Sequence, residues 1–291
     1  MDVLQLLVSG LANGCIYGLI ALGFVLIYKA TEAVNFAQGD MMMLGAFVTL
    51  WLTNSGEMNL PFWLAVPLAI ILMGVFGYLL DLIVIRHLSG QSQVALVILT
   101  IALGFVLRFV AGTIWGYEPQ SLETPFAGKD VRFGGIVLGL DEVAVIISTL
   151  VLTGAFYLYF NNTRLGVAMQ AASQNQLAAY YMGIPVKKMF AAIWAISAMV
   201  ATTAGILLAP ITFIHANLGF LGLKAFPAAV LGGFTSIPGA LAGGVIIGIV
   251  ETLSGFYLPE GFKDIAAYVV LLAVLLLRPQ GLFGGAALKK V

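Results

Sequence analysis

The sequence predicts an all-α polytopic membrane protein with about eight to nine transmembrane segments, one or two of them short and broken. Three observations lead there. Of 291 residues, 61% are hydrophobic and only 9% are charged, whereas soluble domains carry roughly a quarter charged residues. Mean hydropathy is +1.06. The apolar residues also fall into separate runs, most of them near the ~20 residues needed to cross hydrocarbon. The whole chain, 1–291, reads as one transmembrane domain.

The runs lie at 4–28, 36–54, 62–85, 93–115, 136–160, 189–213, 219–235, 238–257 and 264–278. In the first, Gly10, Gly14 and Gly18 recur every four residues, which lines one helix face with hydrogen and predicts a close contact with a neighbouring helix. The run 36–54 opens on Asn35-Phe36-Ala37-Gln38-Gly39-Asp40, and 219–235 is short and holds Lys224 and Pro227. Both predict broken or re-entrant helices. The loop 116–135, with Pro119 and Pro125, is the expected divide between two halves. Pro238 suits the first turn of a helix that follows a turn at Thr235-Ser236-Ile237. If nine segments alternate, Lys29, Arg86, Arg164, Lys187, Lys188, Arg278, Lys289 and Lys290 share one side, and Glu57, Glu118, Glu123 and Glu260 share the other. The positive-inside tendency then places the N-terminus outside and the C-terminus in the cytoplasm.

Between two of these runs lies 164–188, RLGVAMQAASQNQLAAYYMGIPVKK, which reads as a water-facing helical segment. Ser173 and Gln176 have capping-box spacing, predicting a helix start near Gln174. Gly183 can close that helix in the left-handed conformation and Pro185 cannot continue it, so it should stop near Met182. Leu177, Tyr180, Tyr181 and Ile184 fall on one side, Gln170, Ser173 and Gln174 on the other, with Arg164, Lys187 and Lys188 at the ends. The pattern suits either a docking element or an ordinary loop with a helical turn.

Besides Lys224, three charged or polar features lie at or within apolar runs. Asn35, Gln38 and Asp40 either cap a helix from the interface, where Asp40 would suit the helix dipole, or line an aqueous path. Arg108 sits one turn from Gly104 and one turn from Gly112, and Glu251 falls in line with Gly244, Gly248 and Gly255. Both charges should therefore face protein and not lipid. Similar depth in their runs predicts that Arg108 and Glu251 pair with each other.

Formal net charge is zero, so no basic field argues for nucleic acid. The lone Cys15 lies in an apolar run, and His87 and His215 are far apart near run ends. Packing or solvation is their expected role, and no catalytic or metal constellation is predicted. The glycine-rich 231–244 lacks the Lys-Ser/Thr ending of a phosphate-binding loop.

At NFAQGDMMMLGAF (35–47) and FLGLKAFPAAVLGGFTSIPGALAGGVIIGIVETL (220–253) the chain resembles the LivH-type permease subunit of bacterial branched-chain amino acid ABC transporters. The likeness extends to 164–188 and to LLLRPQGLFG (275–284). It implies a second homologous permease subunit, two cytoplasmic ATPases that carry ATP and Mg, a periplasmic substrate-binding protein and a bacterial inner-membrane location. It also implies that 164–188 holds the region coupling to the ATPase, with Arg164, Ser173, Gln176, Leu177, Tyr180, Tyr181 and Gly183 as its residues. This sequence has Ser173, Gln174, Asn175 and Gln176 where relatives often carry acidic residues, which shifts the expected docking onto the apolar side. The competing reading is a self-contained secondary transporter or channel using Asp40, Arg108 and Glu251 as an ion path.

Overall fold

The structure is a computed structural model and describes residues 3–54, 56–88, 92–133 and 136–284. Lys289 and Lys290, used in the orientation argument, lie outside them. Every apolar run holds a helix, although the first four residues of 136–160 form a strand. In chain order these are α1 (Val3–Thr31), α2 (Gln38–Thr53), α3 (Phe62–Ile83), α4 (Gln93–Trp115), α5 (Leu140–Asn162), α6 (Arg164–Gln174), α7 (Gln176–Tyr181), α8 (Val186–Leu208), α9 (Phe220–Gly232), α10 (Ile237–Tyr257) and α11 (Phe262–Leu277). A 3-10 turn at Ile85–Leu88 follows α3, and an antiparallel hairpin, β1 (Asp130–Phe133) with β2 (Ile136–Gly139), precedes α5. Among the described residues, six helices are long and apolar enough to cross a membrane: α1, α3 with its 3-10 turn, α4, α5, α8 and α10. The others that occupy apolar runs, α2, α9 and α11, have 16, 13 and 16 residues. At 1.5 Å per residue each is shorter than the ~30 Å hydrocarbon layer.

The chain forms two compact units, one of 1–25, 126–156 and 224–291, the other of 26–125 and 157–223. One division does fall inside the expected loop 116–135, but the units interleave and are not sequential halves. The other divisions fall within α1, α5 and α9.

In the first unit the expected glycine contact is present, and its partner is α10. A Cβ on Gly14 would lie 2.6 Å from Val245 Cα and one on Gly10 3.0 Å from Ile249 Cα. From the other side, a Cβ on Gly248 would run into the backbone of Gly14 and lie 2.6 Å from Gly10 O. Backbones this close exclude any side chain between them. Thr149 of α5 donates to Cys15 O at 3.4 Å, and the Gln5 amide exchanges hydrogen bonds with Val137 of β2, donating to its O at 2.7 Å and accepting from its N at 3.1 Å. Cys15 is buried and free, as its apolar setting led one to expect. The glycine-rich run is a helix junction: Gly233 turns at φ 94°, Ser236 accepts from Gly239 N, and Pro238 sits in the first turn of α10.

The second unit is built around α2, buried on nearly every side, as befits a helix that is mostly apolar after Asp40. It packs on α3, α4 and α8. A Cβ on Gly45 would lie 2.6 Å from Thr202 Oγ1, and one on Gly205 would meet Met42 O. The α3–α8 contact is similar, with Gly74 against Met199 and Gly77 against Trp194 and Ala198. By contrast α4 turns Val94, Ile98, Phe105 and Phe109 outward, each at least 60% exposed, the surface expected of a helix facing lipid tails.

Candidate functional site

The polar start of α2 is buried. Asn35 and Gln38 are 0% exposed and Asp40 1%. Asn35 Oδ1 accepts from Ala37 N at 3.0 Å, a local turn that leads the chain into the helix. Asn35 Nδ2 and Ser197 Oγ of α8 both donate to Gln38 Oε1, at 3.3 and 2.9 Å, and Gln38 Nε2 reaches Ser197 O at 3.4 Å. Thr100 of α4 accepts from Phe36 N at 3.2 Å. Ala37 is the N-cap of α2 and no side chain caps it, while Asp40 stands in the first turn, where a carboxylate suits the helix dipole.

Asp40 instead meets Arg108. Arg108 Nε donates to Oδ1 at 2.5 Å and Nη2 to Oδ2 at 3.2 Å, the two-pronged geometry that best satisfies a desolvated carboxylate. The guanidinium is covered by the Phe220 ring, 3.6 Å from Cζ to its centroid, and by Phe105 at 5.2 Å. Space for the carboxylate comes from two glycines: a Cβ on Gly104 would strike Asp40 Oδ2, and one on Gly219 would strike Oδ1. Gly39 and Gly222 touch backbone to backbone beside it. One charged pair thus joins α2, α4 and the start of α9.

The expected pairing of Arg108 with Glu251 is corrected by these contacts. Glu251 is buried at 5%, facing protein as predicted, but its partner is Lys224 of α9, Nζ to Oε1 3.8 Å. Lys224 also bonds Asp264 of α11 at 2.5 Å. Helical spacing gave the face of each charge correctly. It carried no information about which helix supplies the partner, and each charge has a counter-charge within its own unit. Lys224, Ser197 and Phe220 were the residues missed; of these only Lys224, a charge in an apolar run, left a usable signal.

The segment 164–188 holds two helices, not one. Thr163 caps α6 by accepting from Gly166 N at 3.0 Å. The cap of α7 is Asn175, extended at φ −153° and ψ 96°, whose Oδ1 accepts from Ala178 N at 2.9 Å. The expected Ser173–Gln176 box is absent, because Ser173 lies inside α6 and donates to Gln170 O at 2.8 Å. Asn is as good an N-cap as Ser, and the chain breaks at the Asn. The stop was placed correctly: α7 ends at Tyr181 and Gly183 is left-handed at φ 81°. Arg164 and Gln176 are exposed and Ser173 half-buried. Leu177, Tyr180, Tyr181 and Met182 are 65, 68, 78 and 82% exposed, four large side chains without cover on one short element.

Residues 6–277 match the model of a family described as the permease component of branched-chain amino acid transport systems. The high-affinity branched-chain amino acid permease BraD of Pseudomonas aeruginosa is 31% identical over 300 residues, covering 99% of this chain and 98% of the relative. LivH of Escherichia coli is 31% identical over 301 residues, 99% and 97%. A probable LivH of Methanocaldococcus jannaschii is 30% identical over 280 residues, 91% and 88%. With a match over nearly its full length, this chain belongs to the permease-component family of branched-chain amino acid transport systems.

Proposed function

We propose that this chain is the membrane subunit of an ATP-driven importer for branched-chain or closely related amino acids in the bacterial inner membrane. In this reading it pairs with a second homologous permease, receives substrate from a periplasmic binding protein and is driven by two cytoplasmic ATPases, which hold the ATP and Mg. The N-terminus is outside and the C-terminus cytoplasmic, and α2, α9 and α11, extended by non-helical flanks, bring the crossing segments to eight or nine.

The observation that carries the coupling role is the bare apolar side of α7. A six-residue helix capped by Asn175 and closed at Gly183 holds Leu177, Tyr180, Tyr181 and Met182 in the open, and burying side chains of this size favours association by roughly 1.5–3 kcal/mol each. Leu177→Asp is expected to reduce ATPase co-purification and uptake at least tenfold while the permease still inserts. Unchanged uptake and co-purification would remove α7 from the ATPase interface.

The buried Asn35–Gln38–Asp40 stretch is assigned to the border of the substrate route, exposed only in another state of the transport cycle. A cysteine at Gln38 is then expected to react with small polar thiol reagents in one nucleotide state of the assembled transporter and to resist them in another. Inertness in every state would make the stretch a packing feature. The ion-path alternative gains no support, since Asp40 and Glu251 already have cationic partners.

A further inference from the structure

A cavity of about 530 Å³ lies in the second unit, where the end of α3, the 3-10 turn after it, α7 and the start of α8 come together. Its charged lining is Arg86, Lys187 and Lys188 against one acid, Asp81, and its apolar walls include Leu177 and Phe190. The excess is two positive charges. Asp81 pairs with Arg86, Nη2 to Oδ2 3.6 Å, which leaves Lys187 and Lys188 as the uncompensated charges, and Arg86 Nε is buried with no hydrogen-bond partner. Helix α8, 23 residues long, begins at this wall with Val186, Lys187 and Lys188 in its first turn and no side chain capping it. Its positive dipole end therefore adds to the field of the cations.

The position points to the source of the anion. Both α3 with its 3-10 turn, Phe62–Leu88, and α8, Val186–Leu208, are long and apolar enough to span the bilayer, and the cavity is at their ends, which in the membrane reading is headgroup depth. Along α3, Val75, Leu79, Leu82 and Ile83 are 53, 42, 37 and 63% exposed, a helical stripe that runs toward the cavity and suits acyl chains. Basic pockets at the ends of spans recruit acidic headgroups.

We infer that this cavity is a headgroup site for an anionic phospholipid, its phosphate held by Arg86, Lys187 and Lys188 and its chains laid along the outer side of α3. The inference rests on the membrane reading of the chain and not on ATPase docking.

The test is native mass spectrometry of the purified full-length chain in neutral detergent, with phosphatidylglycerol, phosphatidylcholine of the same acyl chains, and inorganic phosphate. Phosphatidylglycerol is expected to be retained roughly tenfold or more over phosphatidylcholine, and excess phosphate should not displace it. Arg86→Gln/Lys187→Gln/Lys188→Gln should abolish the preference. If the triple variant does not fold, Lys187→Gln/Lys188→Gln, at two exposed positions, should still remove most of it. Equal retention of the two lipids, a preference that survives the folded variants, or phosphate binding that displaces the lipid would each overturn the assignment, the last by making this a site for free anions. Lipid retention is read without uptake or ATPase binding, so its failure is distinct from failure of the importer reading.

Discussion

At Gly104 the missing side chain makes room for a carboxylate; at Gly248 it makes room for another backbone. The nearest atoms a Cβ on Gly104 would meet belong to the Asp40 side chain, whereas a Cβ on Gly248 would meet N and Cα of Gly14 and the O of Gly10. The first region is a polar latch whose geometry serves one ion pair. The second is a seam whose geometry serves dispersion contacts between helices. A glycine in a membrane helix therefore has no fixed meaning until its neighbour is known. The two regions should respond differently to substitution, because a side chain can be removed and a backbone cannot.

The largest effect is expected at the latch. Asp40→Leu leaves the Arg108 guanidinium without its carboxylate at a cost of roughly 3–5 kcal/mol, and adding Arg108→Leu should recover much of it, since a buried pair is worth little more than an apolar one. Chemical or thermal unfolding in detergent measures the cycle; additive losses would show that the latch is not a unit. Next comes Gly248→Ala, expected to cost roughly 1–3 kcal/mol by overpacking. No truncation of a neighbouring side chain should rescue it, and a rescue would show that the seam is softer than its contacts imply. The smallest effect, and the sharpest contrast, is Gly104→Ala. It should destabilise the native chain yet be nearly neutral, within about 0.5 kcal/mol, once Asp40→Ala/Arg108→Leu is in place. Equal cost in both backgrounds would erase the distinction between latch and seam.

The same distinction explains what the sequence disclosed. The Gly10–Gly14–Gly18 repeat announced a close contact because a period of four is local information, and α1 does have such a contact. Its partner, α10, was not legible, nor was Arg108's, for identity across an interface depends on tertiary placement. Asn35, Gln38 and Asp40 suggested water or a cap because the chain alone offered them no counterpart. Ser197 and Arg108, 159 and 68 residues further on, supply it. All nine apolar runs hold helices, while 116–135 was a poor guide to the two units because helices α1, α5 and α9 each pass from one to the other. Around α7 the error was smaller: Ser173 and Asn175 are both competent caps two positions apart, and the backbone break decided between them.

Distance along the chain also sets an order in time. Asp40 and Arg108 are 68 residues apart, so at a synthesis rate of ~5–20 residues per second both ends of the latch are available within about 3–14 s of each other. Gly14 must wait for Gly244 and Gly248, roughly 230 residues later, or about 12–46 s at that rate. Until then the glycine face of α1 has no α10 to pack on. A nascent chain stalled before α10 emerges would hold a first helix with its flattest side still open, and that interval is when a membrane chaperone or another helix has access to it.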